Sequence, residues 1–82
     1  MPDKKRQQNE IKFENWKETE DGGRIYWFEV DGQKGWKAKY FKVVDKNERT
    51  IGFYQEIYNQ KNELVEVHEK YPIDKGHKKI KR

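Results

Sequence analysis

Few side chains in this 82-residue chain are able to do chemistry, and their spacing limits what that chemistry is. There is no cysteine and no serine, so thiolate metal sites, disulfides and serine nucleophiles are closed. The two histidines, His68 and His77, match no compact zinc spacing, and no metal or cofactor is expected. His68 lies in the run LVEVHEKY, two residues after Glu66. A strand pairing that sets Tyr54 opposite His68 and Glu56 opposite Glu66 would gather an imidazole, a phenol and two carboxylates. Such a group could cleave RNA through its 2′-hydroxyl by general acid–base catalysis. Two facing glutamates would repel the phosphate, so a solvated histidine on a strand is the preferred reading of His68. His77 follows Gly76 and precedes two lysines, and would be catalytic only if the tail folds over the sheet. No catalytic residue is therefore assigned, and His68, Tyr54 and His77 stand as the candidates. Gly22-Gly23 and Gly32 are explained by turns and form no phosphate-cradling loop.

Binding chemistry has more support. Trp36, Tyr40, Tyr54 and Tyr58, flanked by Lys42 and Lys61, are expected on adjacent strands. Aromatics on a sheet with cations beside them can hold RNA or single-stranded nucleic acid by base stacking. The basic end, with Lys75, Lys78, Lys79, Lys81 and Arg82, would then contact the phosphates. Two other readings compete. The N-terminal segment could cover the aromatic face as a second small core, or that face could serve a protein partner or a homodimer.

These residues must be positioned by strands. Ten of the twelve aromatics fall between Arg24 and Tyr71, in the runs RIYWFEV, WKAKYFKVV, TIGFYQEIY and LVEVHEKY. The segments VDGQKG, DKNER and NQKNE separate them. Asp31-Gly32 is a hairpin signal, because both residues tolerate positive φ. In YNQKNEL, Asn59 can start a type I turn and Asn62 can take the left-handed position after it. VDKNERT offers the same arrangement, with Asp45 starting and Glu48 in a less comfortable left-handed place. The YNQKNEL turn resembles that of YD-type hairpin repeats, a likeness that covers one hairpin and implies its geometry alone.

If Asp45 faces Arg49 and Asn59 faces Glu63, the register predicts a core of Phe41, Val43, Ile51, Phe53, Ile57, Val65 and Val67. The opposite face would carry Trp36, Ala38, Tyr40, Tyr54, Glu56, Tyr58, Leu64, Glu66 and His68. A one-residue slip in either hairpin would exchange these faces. For the first hairpin, a two-residue loop puts Trp27 opposite Trp36, and a three-residue loop puts Tyr26 and Phe28 on the aromatic face. Ile11, Phe13 and Trp16 fit an extra strand slightly better than a short helix, because Asp21-Gly22-Gly23 would turn the chain into Arg24. No helix has strong periodic support. The strand ending at Pro72 reads as a charged sheet edge.

The composition agrees with one small domain: 32% of residues are apolar and 41% are charged. The division expected is a flexible N-terminus over 1–10, a β-meander domain over 11–72 and a basic tail over 73–82. The tail holds five basic groups and one acid and accounts for the net charge of +4, leaving the body near neutral. No apolar run approaches a membrane span or a signal-peptide core, so a cytoplasmic protein without membrane partners is expected. The fold class is mainly β, or small α+β: a single four- to five-stranded antiparallel meander with mobile polar termini. A short N-terminal element followed by a four-stranded meander is similar in outline to RelE-type toxins. That likeness implies a small ribonuclease, the alternative to the preferred reading of a non-catalytic binding module.

Overall fold

Turn chemistry sets the path of the chain. The computed structural model describes residues 2–73 and 76–80. It contains one helix, α1 (Pro2–Lys12), and the strands β1 (Asn15–Glu18), β2 (Arg24–Asp31), β3 (Lys37–Val44), β4 (Thr50–Tyr58), β5 (Leu64–Tyr71) and β6 (His77–Lys79). Every strand pairs antiparallel with its sequence neighbours, so the sheet order is β1-β2-β3-β4-β5-β6. The expected antiparallel meander is the architecture, and it carries six strands.

The two later turns have the expected local form. The Asp45 amide donates to the Arg49 carbonyl, and the Asp45 carboxylate accepts from the amides of Asn47 and Arg49. Asn59 repeats the device, accepting from Lys61 and Glu63. Glu48 and Asn62 take the left-handed positions, with φ of 62° and 63°. Thr19 to Gly23 closes the β1–β2 hairpin, where a Cβ on buried Gly23 would run into the Val44 carbonyl. The first expected loop is corrected. Residues between Asp31 and Lys37 form a longer connection around a single 3₁₀ turn, Gln33–Gly35, in which Lys34 and Gly35 both have positive φ.

The register departs from expectation just beyond both correct turns. Val44 pairs with Thr50 but Val43 pairs with Gly52, which leaves Ile51 as an extra residue on β4. Tyr58 pairs with Leu64 but Ile57 pairs with Glu66, which leaves Val65 extra on β5. A third irregularity leaves Lys70 extra near the end of β5. Each bulge moves the residues beyond it by one place, and the side-chain period of two then exchanges faces.

Two rows of side chains result. One face carries Ile25, Trp27, Phe41, Val43, Tyr54, Glu56 and Val67; the other carries Tyr26, Phe28, Tyr40, Lys42, Val44, Phe53, Gln55, Ile57 and His68. The expected core set is therefore split between the two faces. The core lies on the second face, where Phe13, Tyr26 and Val44 are fully buried, with Phe28 and Phe53 against them.

The second face is the covered one because α1 packs on it. No helix is expected there and residues 11–17 slightly favour a strand; residues 2–12 are helical and 15–18 form the extra strand. Proline in the first turn, Asp3 near the start and Lys12 near the end suit a helix and its dipole. Its only apolar member besides Pro2, Ile11, is 84% exposed. Docking runs instead through Arg6, Asn9, Glu10 and Phe13, at helical spacing i, i+3, i+4, i+7. Arg6 and Asn9 reach the Glu48 carboxylate, Glu10 pairs with Arg24 at 2.7 Å, and Phe13 stacks at a tilt on Tyr26 and Phe28. The edge expected at β5 is also corrected, since β6 pairs with it at Glu66–His68.

Candidate interaction face

The face opposite α1 carries a transverse row of rings. Trp27 on β2, Phe41 on β3 and Tyr54 on β4 are direct cross-strand neighbours. Phe41 and Tyr54 stack at 4.7 Å between centroids with 11° between planes, and Trp27 follows at 6.4 Å and 30°. Rings in this arrangement stand upright on the sheet, face against face, and present their edges outward. Ile25, Val43 and Val67 extend the patch along the strands. All six side chains are half-buried, and no described helix or strand lies over them. Two shallow grooves follow the row: about 290 Å³ bounded by Lys17, Ile25, Trp27 and Lys39, and about 340 Å³ bounded by Val43, Ile51, Val67 and Glu69.

Charge borders this patch in alternation. Glu29, Lys39 and Glu56 occupy successive strands in the next row, with Lys39 3.6 Å from Glu29. The Lys39 ammonium also lies 5.1 Å over the Tyr58 ring. Tyr58 donates its hydroxyl to Glu56 at 2.8 Å, and burial followed by that bond pushes its pKa to about 12. Burial raises the Tyr54 phenol as well, with the Glu56 charge adding to it. Both phenols stay neutral across the physiological range, so neither is a ready base.

The expected aromatic quartet divides. Tyr54 and Tyr58 are on the open face. Tyr40 is on the other, stacked on Phe28 at 5.0 Å, accepting from the Gln55 amide and lying 5.3 Å beneath Lys70. Trp36 sits outside β3, just after the 3₁₀ turn, and is 40% exposed. His68 pairs with Gln55 rather than Tyr54, and Glu66 pairs with Ile57 rather than Glu56. The proposed acid–base group is thus not assembled, because Tyr54 and His68 point to opposite faces. His77 and Lys79 hold register positions opposite His68 and Glu66, and Lys78 is opposite Val67. Lys75, Lys81 and Arg82 lie outside the described residues.

Phe41, Val43 and Val67, expected in the core, lie on this open face together with Ile25, and Trp27 joins them, one of the two placements left open for it. Their alternation marks a sheet face clearly. Which face receives the helix is carried by the polar series Arg6, Asn9 and Glu10 followed by the apolar Phe13, the one signal that points to it. Among the described residues no group of His, Asp and Glu is placed to hold a metal, and no helix is long and apolar enough to cross a membrane. The chain matches no family model, no curated protein and no solved structure.

Proposed function

We propose that the chain is a non-catalytic interaction module that docks through its open sheet face, and that a second copy of the chain is the occupant. The observation that carries this is the uncovered Trp27–Phe41–Tyr54 row. An apolar sheet face needs a second layer, and α1, the chain's only described helix, already serves the other side. Aromatic anchors ringed by charge have the make-up of an interface centre and its rim. Base stacking fits less well, since these rings turn their faces to one another.

The charge row favours self-association. A two-fold axis parallel to the strands and between β3 and β4 sets Phe41 against the second copy's Tyr54. The same axis sets Lys39 against the second copy's Glu56, so each contact is made twice. Two sheets packed this way lie about 10 Å apart. Sedimentation equilibrium tests the reading. Wild type is expected as a dimer at micromolar concentration, and Phe41→Glu as a monomer with an unchanged far-ultraviolet circular dichroism spectrum. A wild-type monomer at roughly 100 μM, where a Kd of about 40 μM (about −6 kcal/mol) would show, rules the second copy out.

A further inference from the structure

We propose that the groove between α1 and the β3–β4 hairpin binds a ligand through a phosphate group. The groove holds about 640 Å³ and is lined by Lys5, Asn9, Lys42, Glu48, Arg49 and Thr50. Its single carboxylate is already committed. Glu48 is fully buried, with one oxygen 3.1 Å from Arg6 Nε and the other accepting from Asn9 Nδ2 at 3.0 Å and Tyr26 Oη at 2.6 Å. Arg6 makes the ion pair with that carboxylate, and the lining cations Lys5, Lys42 and Arg49 outnumber it.

Lys42 shows the imbalance most directly. Its ammonium donates to the neutral Asn9 amide oxygen at 2.9 Å, and among the described residues neither Lys42, Lys5 nor Arg49 makes an ion pair. Burial and then the charge of Lys12 lower the Lys42 pKa below its usual range; Glu48 opposes this and Lys5 adds to it. Lys42 is half-buried while Lys5 and Arg49 are exposed, so the groove offers one partly desolvated cation and two solvated ones to an incoming anion. A phosphate suits it better than a carboxylate, because its higher charge and additional oxygens can meet three cations and the Thr50 hydroxyl together. The volume is within the range of small-molecule sites and exceeds a lone phosphate. Tyr71, at the rim and 45% exposed, supplies a ring on which a nucleotide base could stack.

The test is an NMR titration of the backbone amides with inorganic phosphate, against sodium chloride at matched ionic strength. Phosphate is expected to shift Lys5, Lys42, Arg49 and Thr50 selectively and to raise the melting temperature. Lys42→Met should weaken binding about tenfold, or about 1.4 kcal/mol, while Lys17→Met on the open face should leave it within about twofold. Arg49→Met repeats the test if Lys42→Met does not fold. A 5′-mononucleotide and a single-stranded oligonucleotide without a terminal phosphate identify the source. Tighter binding of the first assigns a small phosphorylated ligand, and tighter, steeply salt-dependent binding of the second assigns a polynucleotide backbone. Shifts reproduced by chloride, or lost equally in Lys17→Met and Lys42→Met, overturn the site.

Discussion

Glu48 is the residue at which local preference and global structure disagree most. A left-handed backbone costs a residue with a Cβ about 1–2 kcal/mol, and glycine or asparagine is the usual occupant. Glutamate is present because its carboxylate is the point where α1, β2 and the β3–β4 turn converge, through Arg6, Asn9 and Tyr26. Burial alone would raise its pKa, but the bonds from Tyr26, Asn9 and Arg6 outweigh it and hold the carboxyl below 4.5. A depressed folded pKa contributes stability that is fully present above the unfolded value and lost as pH falls through the folded one. Wild type is therefore expected to lose stability below about pH 4.5, while Glu48→Gln should show a weaker dependence there. The same substitution leaves Arg6 unpaired and should destabilise by about 2 kcal/mol at pH 7, read from urea unfolding at both pH values. Glu48→Gly separates the terms: it relieves the backbone and removes the carboxylate, and is expected to be no more stable than wild type.

At the scale of elements, α1 is a helix held by polar contacts and one ring. Phe13 is its apolar anchor, fully buried against Tyr26 and Phe28, so Phe13→Ala should cost about 3–5 kcal/mol. Ile11→Ala, two residues earlier on the exposed side, should change stability by less than about 0.5 kcal/mol. Thermal unfolding of the two variants checks the contrast, and equal losses would mean that the helix docks by another side. The same elements show what the sequence carries. Turn residues act locally, so Asp45, Asn59 and the left-handed Glu48 and Asn62 are legible without knowledge of the rest of the chain. The bulges at Ile51 and Val65 are not: nothing in their local composition distinguishes them from ladder residues, and each settles which face everything beyond it joins. Apolar periodicity also misses α1, because its docking stripe is Arg6, Asn9 and Glu10. Asn9 becomes buried, and Arg6 and Glu10 half-buried, only when a complementary carboxylate and guanidinium face them from the sheet.

For the whole molecule, the consequence is a sheet with unequal sides. Among the described residues, one is closed by α1 over a three-residue buried core, and the other presents Ile25, Trp27, Phe41, Val43, Tyr54 and Val67 without a layer of its own. A core that small gives a marginal monomer, so burying the open face should couple association to stability. Unfolding of a dimer releases two chains, and its midpoint must then rise with protein concentration. At about 2.1 cal/mol/K per residue, two 82-residue chains have an unfolding entropy that converts each tenfold increase in concentration into roughly 4 °C. Differential scanning calorimetry across two decades of concentration should show that slope for wild type and none for Trp27→Lys. Trp27 lies at the end of the ring row and away from the Phe13–Tyr26–Val44 cluster, so the substitution should spare the monomer fold. A concentration-independent midpoint in wild type would mean that the open face remains solvated, and the stability of the chain would then rest on the α1 side alone.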